Sequence, residues 1–265
     1  MSVTSTSVHR AQTRFIQATD ELRPYVGCFW IVTAEQGATL RIVPDGTTSI
    51  SIELRQHSSS DWVLRGPLLK PAVRRFPSPS ILVGIRLRPG VAALVSGMAA
   101  DSIVGRRVHL KGPAFRSLSC EELHAVPPEQ LIDVLQRFLI DRLANARVHP
   151  AVAAAVREIE RGGGCLPVAE IADACGVSPR HLSRLMRARV GYGPKVLGRI
   201  IRFQATLKQM EDLPGRSGAA LASETGYFDQ AHLTRDTGRL AGATPGHLTS
   251  RCVADFYKTR CEDSL

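Results

Sequence analysis

Several signatures of enzymes and metal proteins are missing from this 265-residue sequence. It contains no Gly-rich phosphate-binding loop, no Gly-x-Ser-x-Gly nucleophile motif and no Cys-x-x-Cys pair. These absences argue against a nucleotide-dependent enzyme, a serine hydrolase and a zinc site. The sequence therefore predicts a protein that is not an enzyme and has no catalytic residue, metal site or cofactor.

Long apolar segments are also missing. No stretch reaches the roughly 18 residues that span a bilayer, and the first residues lack the apolar core of a signal peptide. The cysteines are scattered, and we expect reduced thiols rather than a disulfide framework. They are Cys28, Cys120, Cys165, Cys175, Cys252 and Cys261. Together these features predict a cytoplasmic protein without a membrane partner.

Negative charge is scarce in one long segment. Between Gly176 and Lys208 the chain has eight Lys or Arg residues and no Asp or Glu. The whole sequence has 34 Lys and Arg against 24 Asp and Glu, a formal net charge of +10. Because a solvated helix face usually mixes both signs, an acid-free segment of this length favours binding to a polyanion such as nucleic acid.

One helical pattern occurs twice between residues 166 and 249. The positions that recur are Ala172, Gly176, Leu182, Arg184, Gly191 and Pro194, which return as Ala222, Gly226, Leu233, Arg235, Gly242 and Pro245. The offset is 50 residues before the turn and 51 after it. A constant offset across six positions indicates a repeated structural unit.

The first copy predicts two short helices joined by a tight turn. Gly176 can adopt the left-handed backbone of such a turn, and Ser178 can cap a second helix that has Pro179 at its first position. The apolar positions of that helix are Leu182, Leu185, Met186 and Val190. Its opposite face carries Arg180, Ser183, Arg184 and Arg187. This arrangement is typical of a helix-turn-helix whose second helix enters the major groove.

The region resembles the DNA-binding domain of the AraC/XylS family of transcription regulators. The likeness lies in Leu182–Arg184, Gly191–Pro194, Gly226–Arg235 and Gly242–Pro245. The resemblance implies two helix-turn-helix units joined by a long helix. Apolar residues spaced from Val196 to Met210 predict that helix from Pro194 over about 16 residues, or ~24 Å. Such a rod can hold two recognition helices about 34 Å apart, one turn of duplex.

Positions on the two recognition helices predict the DNA-binding residues. The base-reading candidates are Arg180, Ser183 and Arg184 in the first unit and Gln230, Thr234 and Arg235 in the second. Arg matches the paired acceptors of guanine and Gln the adenine edge. Ser178, Arg187, Lys195 and Arg199 are assigned to phosphates. For the last three of these residues, a solvated surface charge is an open alternative.

The second unit departs from the family pattern at Gly218, Thr237 and Gly238. Each glycine lowers helix propensity by ~1 kcal/mol relative to Ala, and Thr fills less core volume than the aromatic residue it replaces. Between Gly218 and Pro245 the chain has two Arg and three acidic residues, namely Glu224, Asp229 and Asp236. We therefore expect the first unit to supply most of the affinity for DNA.

The N-terminal half predicts short strands separated by turns. Strand patterns fall at residues 26–32, 39–43, 47–54, 62–64 and 81–87, with a Pro44-Asp45-Gly46 turn, whereas residues 1–20 read as a tail or loop. Two helices are expected, at 91–98 and from Pro127 to about Asn145. The longer one packs on the strands or pairs with a second copy.

These patterns predict an α+β protein of two domains. Residues 1–147 form a β-rich, cupin-like barrel or sandwich, and residues 148–265 form the all-α DNA-binding domain with its two helix-turn-helix units. Arg41–Gly46 and Gly84–Gly90 resemble the family's sensor domains more loosely, and their roles as strand ends and turns are the favoured explanation of these motifs.

The resemblance implies a transcriptional regulator. Its expected partner is double-stranded promoter DNA, with a small-molecule effector, a second copy in a homodimer and, for an activator, RNA polymerase as further candidates. A DNA-binding architectural protein without a sensing role is the alternative left open, and an enzyme is a more remote one.

Overall fold

The computed structural model describes residues 11–54, 62–110 and 126–248. A β-rich N-terminal part is followed by a helical C-terminal part, so the predicted fold class is confirmed. The expectations for residues 1–10 and for Cys120, Cys252 and Cys261 lie outside the described residues. The boundary between residues 147 and 148 stays a prediction.

Within the described residues, eight strands form two antiparallel sheets. The larger sheet has the strand order β1-β2-β7-β4-β5-β8, and the smaller pairs β3 with β6. The strands are β1 (Ala11–Ile16), β2 (Val26–Ala34), β3 (Thr39–Ile42), β4 (Thr48–Leu54), β5 (Val63–Arg65), β6 (Ala72–Arg75), β7 (Ser80–Leu87) and β8 (Arg107–His109). Leu40 of the smaller sheet packs against Val32 and Leu82 of the larger one, which places the smaller sheet over one face of the larger.

Three strands were not predicted from the sequence. Strand β1 lies where a tail or loop was expected, and β6 and β8 fall in segments without a strand pattern. Strands β1 and β8 are the two edges of the larger sheet, and β6 belongs to a sheet of only two strands. An edge strand pairs on one side only, so it needs few apolar residues and has a weak sequence pattern.

The opposite face of the larger sheet is covered by helices. These are α1 (Ala92–Ser96) and α2 (Pro128–Leu143). Leu131, Leu135 and Leu139 of α2 are buried in the same cluster as Phe29 and Ile85 of the sheet. Of the two roles left open for this helix, packing against the strands is therefore the one observed.

The helical part contains two helix-turn-helix units separated by a long helix. Its elements are α3 (Pro150–Arg161), α4 (Val168–Ala174), α5 (Pro179–Val190), α6 (Pro194–Asp212), α7 (Gly218–Glu224) and α8 (Gln230–Ala241). Helices α4 and α5 form the first unit, and α7 and α8 the second. The connecting helix α6 has 19 residues, about 28 Å, and is longer than predicted. The apolar spacing ends at Met210, but the polar Glu211 and Asp212 continue the helix.

The expectation of six reduced thiols is wrong for Cys28. This residue is disulfide-bonded, whereas Cys165 and Cys175 are free. Cysteine spacing can reveal a metal-binding motif, but it does not reveal a disulfide between cysteines that come together only in the fold. Across the described ranges, no helix is both long and apolar enough to cross a bilayer, and no cluster of three His, Cys, Asp or Glu could hold a metal ion.

Candidate nucleic-acid interface

The first recognition helix, α5, begins and ends as its sequence predicts. The Ser178 hydroxyl accepts a hydrogen bond from the His181 amide at 3.2 Å, and Pro179 follows the cap. The helix ends at Gly191, whose φ of +95° lies in the left-handed region. A side chain there would also clash, because a Cβ would lie 2.8 Å from the carbonyl oxygen of Ala100 in the N-terminal part.

The predicted contact residues of α5 lie together on its outer face. Ser178, Arg180, Arg184 and Arg187 are exposed and Ser183 is half-buried. With His181 they line one shallow surface depression. Within the described part of the chain, none of the three arginines forms an ion pair, although Arg184 Nη2 lies 3.1 Å from His181 Nδ1. Their positive charge is therefore available to an anionic partner.

The second recognition helix, α8, is also capped. The Asp229 carboxylate accepts a 2.6 Å hydrogen bond from the His232 amide. Gln230 and Arg235 are exposed and Thr234 is half-buried, so the three predicted readers are accessible to a ligand. The cap places a negative charge at the start of the helix, where α5 has a neutral serine. This difference weakens the attraction of the second unit for phosphate.

Gly218 has a local structural explanation. A Cβ on this residue would lie 2.9 Å from the side-chain amide of Gln230, so the glycine leaves room for that side chain against the start of α7. The glycine at position 218, which departs from the family pattern, thus makes room for Gln230, a candidate base-reading residue. Sequence comparison of the two units gives no indication of this contact.

Asp236 is an internal residue and not a surface charge. It is 3% exposed, and its carboxylate lies 3.4 Å from Arg199 Nε on the connecting helix and 3.7 Å from His232 Nε2. The assignment of Arg199 to phosphate is therefore not supported, because this side chain pairs with Asp236 and holds α8 against α6. Because Asp236 is buried and paired, it does not add to the negative surface charge of the second unit.

Arg202 is a second basic residue of the acid-free segment with an internal role. Its guanidinium donates to the Gly164 carbonyl at 2.5 Å and stacks over the Tyr227 ring at 5.4 Å. Burial, together with the charge of Asp236, raises the pKa of Tyr227 to about 12. Lys195, in contrast, is exposed at the start of α6. The basic surface is consequently smaller than the sequence count implies and is concentrated on α5.

A turn of the β-rich part docks on the connecting helix. The Pro44 carbonyl accepts a 2.7 Å hydrogen bond from Gln204 Nε2, and the Gly46 carbonyl accepts one of 2.5 Å from the Tyr192 hydroxyl. Val43 packs in the core of the helical part beside Ile200, Phe203 and Leu207. The Pro44-Asp45-Gly46 turn was predicted from sequence, but its contact with the helices was not.

Comparison with known proteins points to the same parts of the chain. A family model described as a helix-turn-helix domain matches residues 171–251, and a domain of unknown function, DUF6597, matches residues 14–109. The HTH-type transcriptional regulator GlxA of Rhizobium meliloti (strain 1021) is 35% identical over 104 residues, or 39% of this chain. The chain spans about a third, 32%, of the length of that relative.

The paired spacing and the matching domain model both concern the two helix-turn-helix units. The helical part of the chain is a helix-turn-helix domain of the AraC/XylS type. Among solved structures the chain is similar to ToxT from Vibrio cholerae, with 10% identity, a TM-score of 0.47 and coverage of 93% of this chain and 98% of that one. ToxT from V. cholerae O395 gives 10% identity, a TM-score of 0.44 and coverage of 95% and 99%.

Proposed function

We propose that this protein is a sequence-specific DNA-binding transcriptional regulator of the AraC/XylS type. The observation that carries the proposal is the outer face of α5, where three arginines that form no ion pair with any described residue lie beside two serines on a capped helix. Free guanidinium groups on such a helix suit the phosphates and guanine edges of a major groove. The partner is double-stranded promoter DNA.

Residue roles follow from position on each helix. In the first unit Arg180, Ser183 and Arg184 read base edges, while Ser178 and Arg187 contact phosphate. In the second unit the readers are Gln230, Thr234 and Arg235. The first unit supplies most of the affinity, because the acid at position 229 lies at the start of the second recognition helix and no acid lies on α5.

The test begins with the operator, identified by sequencing DNA that is pulled down with the protein. On that site, Arg184→Ala is expected to weaken binding by about 5- to 150-fold, the range of one bidentate base contact, and Arg235→Ala by much less. Arg137→Ala, an exposed arginine on α2, is the matched control and leaves affinity unchanged. Equal losses for the two readers would refute the asymmetry, and equal affinity for operator and random duplex would refute sequence-specific binding.

Effector responsiveness is part of the proposal. The support is Asp45, which lies in the docking turn and also lines a cavity between the two sheets, where it pairs with Arg86 at 3.2 Å. A ligand that changes this ion pair acts on the turn, whose carbonyls are bonded to Tyr192 and Gln204. The docking turn therefore links the cavity directly to the helical part. An architectural protein needs no link between a ligand cavity and its DNA-binding helices. Its DNA affinity would not change with any cavity ligand.

A further inference from the structure

The cavity between the two sheets has walls of two different characters. Its floor is the face of the larger sheet that α2 does not cover, and its roof is the β3–β6 pair, which contributes Leu40, Ile42 and Arg74. The register of the strands decides which floor residues are neighbours, because directly paired residues point to the same face of a sheet.

One row of the floor is cationic. Arg86 of β7 pairs with Ser49 of β4, and Ser49 pairs with Arg65 of β5. All three residues line the cavity. Adjacent strands are about 4.8 Å apart, so the two arginines arise about 10 Å apart on either side of the serine hydroxyl. The Arg86 guanidinium stacks over the Phe15 ring, 5.6 Å from its centroid, on the side of β7 that faces away from Ser49. A small anionic group placed over Ser49 is therefore flanked by Arg65.

Two of the three cavity arginines form an ion pair with a carboxylate. Arg86 Nε lies 3.2 Å from Asp45, and Arg74 Nη2 lies 2.8 Å from Glu53. These pairs are largely shielded from water, with side-chain exposures between 11% and 20%. Each pair is close to neutral, and the net charge of the cavity wall therefore depends on the third arginine.

The side chain of Arg65 has no counter-ion among the described residues. It forms no hydrogen bond or ion pair with any of them, and Arg107 lies directly opposite Arg65 on β8. Burial, followed by repulsion from Arg107 and Arg74, lowers the pKa of the Arg65 guanidinium. Like charges on directly opposed strand positions destabilise a sheet. Counted over the residues that the structure describes, the cavity thus has one excess positive charge, which an anion would neutralise.

The neighbouring row of the floor is apolar except for Ser51. Phe15, Trp30, Gly84 and Ser51 are paired across β1, β2, β7 and β4. A Cβ on Gly84 would lie 2.2 Å from the Trp30 ring, so only glycine lets the indole cover this part of the sheet. Val32 and Leu82 extend the apolar surface to the next row. This row begins two residues, about 7 Å, from the cationic row.

We propose that this cavity binds an amphipathic organic monoanion, with its carboxylate over Ser49 beside Arg65 and its apolar body along Trp30 and Leu82. A monoanion matches the single unpaired cation, because Arg74 and Arg86 are already neutralised. A neutral polyol would leave the half-buried Arg65 without a partner, and inorganic phosphate would leave the apolar row uncovered. The binding site stands without the regulatory role, whereas its meaning as an effector site rests on the proposed function.

The binding test uses the full chain without DNA and compares three probes. Octanoate has both the charge and the apolar body, octanamide lacks the charge, and acetate lacks the body. We expect calorimetric binding and a rise in melting temperature with octanoate, and neither with octanamide or acetate at the same concentration. Equal binding of octanoate and octanamide, or no binding of octanoate, would overturn the proposal.

Two matched variants locate the site. Arg65→Gln is expected to weaken octanoate binding about ten- to hundredfold, the value of a hydrogen-bonded charge pair. Arg75→Gln, on the exposed face of β6, leaves binding unchanged. The ligand-free Arg65→Gln protein should melt no lower than the wild type, because it loses an unpaired cation. Unchanged octanoate affinity in Arg65→Gln, or a lower melting temperature of that variant without ligand, would contradict the assignment.

The regulatory role is tested separately by measuring operator affinity with and without octanoate. A change that disappears in Arg65→Gln assigns the effector role to this cavity. Octanoate binding without any change in operator affinity retains the organic-anion site and removes only its regulatory meaning. Failure of operator binding altogether removes the proposed function and leaves the calorimetric result unaffected.

Discussion

The hydroxyl of Tyr192 is the most informative atom to remove from this protein. It donates a 2.5 Å hydrogen bond to the Gly46 carbonyl, between the end of α5 and the docking turn of the β-rich part. Both residues are buried, and burial raises the pKa of the phenol, so the donor remains protonated. Tyr192→Phe retains the packed ring and removes only this hydrogen bond.

The expected loss follows from what the substitution leaves behind. The net contribution of an ordinary hydrogen bond is about 0.5–1.5 kcal/mol, but a buried acceptor left without a donor costs about 1–3 kcal/mol. The Gly46 carbonyl is such an acceptor, because phenylalanine fills the space through which water would reach it. We therefore expect Tyr192→Phe to lower the free energy of unfolding by about 1–3 kcal/mol.

Urea denaturation followed by two probes measures this loss. Both tryptophans, Trp30 and Trp62, lie in the β-rich part, so fluorescence reports on that part and far-ultraviolet circular dichroism mainly on the helices. The matched control is Tyr25→Phe, whose hydroxyl donates at 3.0 Å to the half-buried Ala146 carbonyl and should cost less. Equal destabilisation by the two substitutions, or none by Tyr192→Phe, would refute the account of the docked turn.

Substitutions at three positions test the second helix-turn-helix unit. Asp229→Asn should keep the helix cap and strengthen operator binding by removing a negative charge, whereas Asp229→Ala should lower unfolding free energy by about 1 kcal/mol; equal operator affinity in the Asn variant and wild type would contradict this. Asp236→Asn should cost about 1–3 kcal/mol in urea titrations, less than a fully buried pair because Arg199 is one-third exposed. Gly218→Ala should displace the Gln230 amide and alter base preference in a binding-site selection, with little change in melting temperature; unchanged preference would show that Gln230 does not read bases.

Local signals explain which parts of the fold were predictable. The Ser178 cap, the Pro179 start and the Gly191 end of α5 each act within one helical turn, so their residue types suffice to place the element. Because the sequence pattern occurs twice, the same kind of signal also places α8. Accessibility of the predicted readers also follows from helical periodicity, because the buried positions Leu182 and Met186 fix the opposite face.

Long-range contacts account for the parts that were missed. The sequence places Arg199 and Arg202 in the acid-free basic segment, but their partners Asp236 and Gly164 are more than 35 residues away. The excess charge of Arg65 likewise depends on strand register, which sequence does not specify for a three-residue strand. Residue type shows that a charge exists, and only the fold shows whether another residue neutralises it.

The docking turn offers main-chain oxygens, rather than side chains, to the connecting helix. Its conformation depends on Pro44 and on Gly46, which has a φ of +80° and leaves no room for a Cβ, because one would lie 2.9 Å from Leu197. Carbonyl groups are common to every amino acid, and mutations of cavity residues outside segment 43–46 therefore leave this junction intact. Related proteins can therefore acquire new ligand preferences without rebuilding the link between the two halves, provided that the proline and glycine persist.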